Sequence, residues 1–313
     1  MITYYNPRYN IDLGLLNRLH PFDGRKFAKV HRATQALGVD QRRVEAPVSE
    51  AQLDAFAGEI LRPLYASKRY ILRALEVPYI PLLPFSVIDN RVLAPMRWAV
   101  QGTIDAAEVA LGGTSCWNLS GGYHHASRNA AEGFCIYNDV GIAVEDLRRR
   151  GLLGADDRIL IVDVDAHHGN GNANVFRKDP CVEILDIYNG DIYPQSPATR
   201  RRVDIGIPLP SGTGGNEYLA RLTDGLEQLK SGARLAFVVA GTDVLASDPL
   251  GGLGLSVQQC WGTRWRCPAR AAMPAWRARC SCPARRRRHR RLRRGAENPF
   301  DASLGRAGFI HRF

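Results

Sequence analysis

The chain has 313 residues, 45% of them hydrophobic, enough for one large α/β domain or two small ones. Its net charge of +11 belongs to one end: residues 257–313 hold 15 Arg, no Lys and two acids, a local +13, so residues 1–256 sum to −2. This excludes a nucleic-acid footprint argued from whole-chain charge, and no apolar run approaches the roughly 20 residues that span a bilayer. The first residues lack a basic segment followed by an apolar one, so the expectation is a cytoplasmic protein without a secretory signal.

Residues 1–45 mix aromatics and charges. Gly24 to Leu37 places Phe27, Val30, Ala33 and Leu37 at helical spacing, and LHPFD before it reads as a turn and cap. Residues 49–76 hold two helical patterns broken near Pro63, with Ser49 and Gln52 in the form of a capping box. Proline-rich residues 77–95 suggest a surface loop. Arg97 to Leu111 reads as a helix stopped by Gly112 and Gly113. Thr114 to Leu119 is a short apolar run, expected as a core strand, that empties into SGGYHHASRNAAEGFCIYND. An amphipathic helix from Asn138 to Arg149 ends at Gly151. Ile159 to Val164, interrupted only by Asp163, reads as a buried strand running into AHHGNGNAN. Cys181 to Tyr188 is a further strand, Asn189 to Pro210 a long loop and Glu217 to Leu229 a helix. Leu235 to Ala240 is a strand that empties into GTDVLASDPLGGLGLS.

Helix, strand and polar loop recur, which argues for a parallel sheet covered by helices on both faces. Sites in such sheets form at the carboxyl ends of strands. Three polar clusters lie there: His124 with His125, Asp165 with His167, and Asp243. If the strand pattern persists, Asp163, Asp165 and His167 alternate onto one side. Two carboxylates and an imidazole suit Zn²⁺ with a position left for water, and suit Fe²⁺ or Co²⁺ as well. His124 and His125 would then supply acid–base chemistry, with Asp163 and Asn170 orienting imidazoles. A lone Asp at a strand end is ordinarily a cap or turn residue. Three polar clusters at three strand ends have no packing explanation. Cys116, Cys135 and Cys181 lack CxxC spacing and are expected as buried thiols.

At these residues the sequence closely resembles the zinc-dependent histone deacetylase family of the arginase/deacetylase fold. The segments GGYHHASRNAAEGFCIYND, ILIVDVDAHHGNGNANVF and AGTDVLASDPLGGLGLS carry the resemblance, which covers about residues 1–256. LHPFDGRKFAKVHRA, DIYNGDIYP and NEYL are most similar to class IV members, and Asn170, where class I enzymes carry an acid, agrees. The resemblance implies a three-layer αβα catalytic domain with a central parallel sheet. It implies zinc on Asp165, His167 and Asp243, His125 as general base, His124 as its partner near the metal, and Asp163 and Asn170 orienting both. Gly133 and Phe134 would line a narrow acyl-lysine channel. A structural K⁺ would sit at Asp163, Asp165, His167, Asp186 and Ile187. The implied reaction is hydrolysis of N-acyl-lysine amides on histones or other proteins. An acetylpolyamine-type hydrolase acting on small acylated amines, a long-chain deacylase and a non-catalytic acyl-lysine binding protein are the alternatives.

The resemblance stops after Gln258. The family continues with a helix, an internal strand and a Gly-Gly-Tyr loop whose tyrosine helps stabilise the oxyanion. No Gly-Gly-Tyr occurs here, and no tyrosine follows Tyr218. Residues 257–313 carry three of the five Trp and four of the seven Cys without period. Cys260, Cys267, Cys280 and Cys282 lack the paired spacing of a zinc module. Residues 285–294 contain eight Arg, which would allow a nucleic-acid arm. Arg, Ala, Pro, Cys and Trp are also what GC-rich codons yield out of frame, and a shifted reading frame is the preferred reading of this aberrant tail, with a disordered segment as the expectation otherwise. The expectation is a C-terminally incomplete domain, unstable or nearly inactive, with no membrane partner and with nucleic acid reached only through the tail.

Overall fold

The computed structural model describes residues 1–12 and 23–260. Its elements in chain order are β1 (Ile2–Tyr5), α1 (Lys26–Ala36), β2 (Asp40–Arg43), α2 (Glu50–Phe56), α3 (Leu61–Leu64), α4 (Lys68–Ala74), α5 (Phe85–Ile88), α6 (Ala94–Ala110) and β3 (Cys116–Asn118). They continue with α7 (Asp139–Arg149), β4 (Ile159–Asp163), α8 (Asn170–Val175), β5 (Val182–Asn189), α9 (Pro197–Arg200), β6 (Ile205–Leu209), α10 (Gly215–Gln228) and β7 (Leu235–Val239). Most of LHPFD and the Arg-rich tail from residue 261 lie outside the described residues.

Every strand pair is parallel. β2-β1-β3 form one sheet and β6-β5-β4-β7 the other. β4 is central, in register with β5 (Ile161 opposite Ile184) and with β7 (Ile161 opposite Phe237). Its five residues are all buried, as an apolar run covered on both faces requires. Ile159 and Ile161 face a core shared with α6 and α7, while Leu160 and Val162 face a core shared with Tyr218, Leu222 and Leu226 of α10. The fold is therefore three-layer αβα. Each fully buried Ile or Leu stabilises it by about 1.5–3 kcal/mol.

One continuous sheet was expected, and among the described residues no ladder joins β3 to β7. The two edges nonetheless belong together. Arg234, just before β7, donates through Nη1 to the Leu111 carbonyl just before β3, at 2.6 Å.

Other expectations need correcting. Residues 49–76 hold three helices rather than two, with breaks at residues 57–60 and 65–67 on either side of Pro63, which itself sits inside the first turn of α3, where its missing N–H costs nothing. Residues 77–95 are not all loop: α5 leads through a π turn, Asp89–Leu93, straight into α6. Asn189 to Pro210 contains α9 and the edge strand β6, whose Gly206 and Pro208 hide a strand signal. β3 is a half-buried edge strand rather than a core one. Cys135 is buried, but Cys116 and Cys181 are only partly so. The Ser49 capping box forms as read, and Asn138 caps α7 by accepting from the Gly141 amide at 2.6 Å.

Candidate active site

The ends of β3, β4 and β7 deliver three polar loops to one place. β4 stops at Asp163, so alternation does not carry the acids onward. Two Asx turns do: Asp163 Oδ1 accepts the Asp165 amide at 3.2 Å, and Asp165 Oδ1 accepts the His167 amide at 2.9 Å. Each turn brings its side chain back over the same edge. Behind them, the buried Tyr218 hydroxyl donates to the Val164 carbonyl at 3.2 Å. From the end of β7, Asp243 Oδ1 accepts the Ala166 amide at 3.0 Å, and Asp243 Oδ2 lies 2.7 Å from His167 Nδ1. Asp165, His167 and Asp243 each offer one ligand atom, all within 4.8 Å of one another, and all three residues are buried.

The histidine loop is pinned by the start of α7. The Asp139 carboxylate accepts Thr103 Oγ1 at 2.7 Å, the Gly122 amide at 2.9 Å and the Tyr123 amide at 2.8 Å. Asn138 Nδ2 donates to the Ala126 carbonyl and to Asn172 Oδ1, both at 2.8 Å. The sequence Asn-Asp thus caps a helix and clamps the loop that carries His124 and His125. His124 Nδ1 lies 2.8 Å from Asp163 Oδ2, and its Nε2 is 3.7 Å from Asp165. His125 Nδ1 lies 2.6 Å from Asn170 Oδ1. His125 Nε2 is buried with no hydrogen-bond partner, and its ring centroid is 6.0 Å from that of His167.

Gly133 and Phe134 form the centre of a tight turn closed by Glu132 and Cys135, and both have positive φ, 56° and 64°. For Phe134 this is a strained conformation. It is held by the Phe134 amide donating to the Ala74 carbonyl at 2.9 Å. A Cβ on Gly133 would meet the His125 ring at 2.5 Å, so only glycine lets the turn approach the imidazole.

The charges are unbalanced in one direction. Burial would lower the pKa of His124 and of His167, but the facing carboxylates outweigh it and carry them up to about 10 and about 9. Burial pushes Asp163 up to about 6, against the pull of His124. Burial and the neighbouring Asp165 push Asp243 up to about 7. Asp165 is held down by His124 and His167 despite its burial. His125 falls well below the ordinary imidazole value, through burial first and then its His124 neighbour. Despite their burial, His124 and His167 hold protons because the facing carboxylates favour their charged form, and Asp163 and Asp243 do so because burial penalises the bare carboxylate. A divalent cation satisfies the carboxylate charge, and two carboxylates with one imidazole are a suitable donor set.

A family model, histone deacetylase domain, matches residues 69–265. The chain belongs to the histone deacetylase domain family. It is 32% identical over 257 residues to histone deacetylase 2 of Arabidopsis thaliana, covering 80% of this chain and 66% of that protein. It spans about half the length of several other curated relatives. The fold is similar to that of a histone deacetylase homologue from Aquifex aeolicus, with TM-score 0.63, 21% identity and coverage of 87% of this chain and 77% of that one. It is also similar to that of an acetylpolyamine aminohydrolase from Burkholderia pseudomallei, with TM-score 0.58, 22% identity and coverage of 82% and 86%.

Within this histone deacetylase domain every site residue named from the sequence falls in one neighbourhood: His124, His125, Gly133, Phe134, Asp163, Asp165, His167, Asn170 and Asp243. Four neighbours escaped the sequence reading. Glu132 Oε1 accepts Asn170 Nδ2 at 2.6 Å. His168 bridges Asp186 Oδ2 at 2.6 Å and Thr199 Oγ1 at 2.9 Å. The Tyr193 ring lies 5.3 Å from that of His125. The doubled His-His of AHHGNG was a visible signal for His168. Glu132 and Tyr193 lie in loops without periodicity, and Thr199 lies in α9, a helix too short to show a period.

Proposed function

We propose that this chain is a metal-dependent deacylase that hydrolyses the N-acyl amide of lysine side chains on histones or other proteins, with residues 1–256 as its catalytic domain. The observation that carries this reading is His125 Nε2, buried and unpartnered beside the Asp165–His167–Asp243 cluster. A proton acceptor without a partner, next to a cation site, is what activation of water requires. Zn²⁺ held by Asp165, His167 and Asp243, with Fe²⁺ or Co²⁺ as substitutes, would polarise the acyl carbonyl as a Lewis acid. His125 accepts the proton of the attacking water at Nε2 and returns it to the departing lysine amine. Asn170 holds the other face of that ring. His124, paired with Asp163, keeps positive charge beside the developing oxyanion. Gly133 and Phe134 line the channel for the apolar lysine stem.

Asn170 in place of an acid favours a class IV type enzyme, working in the cytoplasm. Among the described residues no helix is long and apolar enough to cross a membrane. A K⁺ ion would sit at Asp163, Asp165, His167, Asp186 and Ile187, supported by Asp186 Oδ1, which is buried without a hydrogen-bond partner.

Turnover is expected to be slow. No tyrosine follows Tyr218 in the sequence, and Tyr218 spends its hydroxyl on Val164. Loss of one oxyanion donor costs about 10²–10³ in rate. The test is hydrolysis of a fluorogenic acetyl-lysine peptide by the purified full chain, with metal removed and restored. Slow hydrolysis that requires the metal supports the reading. Fast hydrolysis overturns the impairment. Bound metal and acetyl-peptide affinity without turnover would replace deacylase with acyl-lysine binding protein.

A further inference from the structure

We propose that Glu132 is a positioning residue: acting through Asn170, it fixes which nitrogen of His125 carries the proton. The inference rests on the deacylase reading for its consequence, but not for its test. An asparagine side chain has a donor end and an acceptor end of nearly equal size, so its orientation is set by its partners. Asn170 has two. One is the His125 ring nitrogen, which can either donate or accept. The other is Glu132, whose carboxylate can only accept. The carboxylate therefore takes the NH₂ end of Asn170 and turns its carbonyl oxygen toward His125. That oxygen can only accept, so His125 must place its proton on Nδ1. The lone pair is left on Nε2, the buried atom without a partner beside the metal cluster. A flipped Asn170 would reverse each step and leave Nε2 carrying hydrogen, unable to take a proton from water.

Glu132 is suited to this by how rigidly it is held. Its amide donates to the Cys135 carbonyl at 3.1 Å, and the Cys135 amide donates back to the Glu132 carbonyl at 2.9 Å. The central residues of that turn, Gly133 and Phe134, share positive φ, as in a type I′ turn. The Glu132 carboxylate thus projects from a closed turn, 38 residues away in sequence from the amide it orients. Tyr193, whose ring packs at 5.3 Å from His125, flanks the same group.

The experiment uses the metal-free full chain labelled with ¹⁵N-histidine and long-range ¹H–¹⁵N spectra of the imidazoles. The His125 signals are identified by their loss in His125→Asn. The natural chain is expected to show His125 as a single Nδ1–H tautomer. Glu132→Ala and Glu132→Leu, which both remove the acceptor, are expected to show an appreciable Nε2–H population with the other imidazole signals in place. A pure Nδ1–H signal in either folded variant would overturn the proposal. On the deacylase reading kcat also falls about tenfold with KM little changed, the scale usual for a lost outer hydrogen bond. A tautomer change without loss of turnover would leave the role of Glu132 standing and remove His125 as the base.

Discussion

His167 Nδ1 lies 2.7 Å from Asp243 Oδ2, so the loop leaving β4 and the loop leaving β7 meet at a single imidazole. The facing carboxylates carry that imidazole up to about 9, so it holds a proton at neutral pH in the absence of a cation. A metal ligand must be neutral at the coordinating nitrogen, and binding therefore expels the proton. At pH 7 each divalent cation bound should release at least one proton. Calorimetry in buffers of different ionisation enthalpy measures this count. Affinity should tighten by about tenfold per pH unit between 7 and 9, as one-proton linkage requires. Binding without proton release would mean that His167 is not a ligand.

Gly241 stands between two of the candidate ligands. A Cβ there would meet Asp165 Oδ2 at 2.2 Å and Asp243 Oδ1 at 2.6 Å. Both contacts are too short to persist, and the two carboxylates have to move apart. Gly241→Ala is expected to weaken zinc binding by at least about tenfold, the lower end for disturbing a ligand shell. Competition against a chromogenic chelator reads the affinity, and circular dichroism shows that the fold survives. Unchanged affinity would place the metal elsewhere.

Asp139 links the helix layer to the histidine loop through three hydrogen bonds, from Thr103, Gly122 and Tyr123. Asp139→Ala strips two backbone amides and a hydroxyl of their acceptor at once. The cost is about 3–5 kcal/mol, a fall in Tm of about 10 °C. Thr103→Val removes only one of the three bonds and should cost about 1 kcal/mol. Thermal unfolding of the two variants side by side checks the ratio, and equal losses would show that the loop is held by other contacts.

The parts of this fold that could be read from the sequence are those where burial is complete. β4 and β5 are buried along their whole length and largely apolar, β7 is an apolar run although its Val238 is exposed at the sheet edge, and the caps at Ser49 and Asn138 announce themselves by residue type. β2, with the sequence DQRR, is largely exposed at a sheet edge, so nothing apolar marks it. β6 escaped for a different reason: Ile205, Ile207 and Leu209 are apolar, but Gly206 and Pro208 between them read as loop residues. In the site, acids and histidines at strand ends were conspicuous. The link between them was not: Glu132 touches Asn170 only because two loops distant in sequence converge. The Asx turns after Asp163 were likewise hidden, since alternation along a strand and a chain of side-chain-bonded turns put the same residues on one side.

Stability should depend on pH in a direction set by the same cluster. Asp163 and Asp243, pushed up by burial to about 6 and about 7, bind protons more tightly in the folded chain than at their ordinary value of 3.8. His124 and His167, raised by facing carboxylates against the pull of burial, do the same relative to 6.5. Their contribution is fully present below the unfolded value and is lost as pH rises through about 9 and about 10. His125 and Asp165 are shifted the other way, so their contributions are lost as pH falls and are complete once the solution passes 6.5 and 3.8 respectively. Above pH 7 the falling contributions alone remain. Wherever the folded state binds more protons than the unfolded one, stability drops with rising pH. The metal-free chain is therefore expected to lose Tm steadily between pH 7 and 9. With a saturating divalent cation the slope should flatten or reverse, because the cation takes the place of those protons and binds the folded state more tightly as they leave. Thermal scans across this range, with and without the cation, decide the matter. A metal-free Tm that holds or rises from pH 7 to 9 would mean that the cluster carries no excess negative charge, and the argument for a cation there would fail with it.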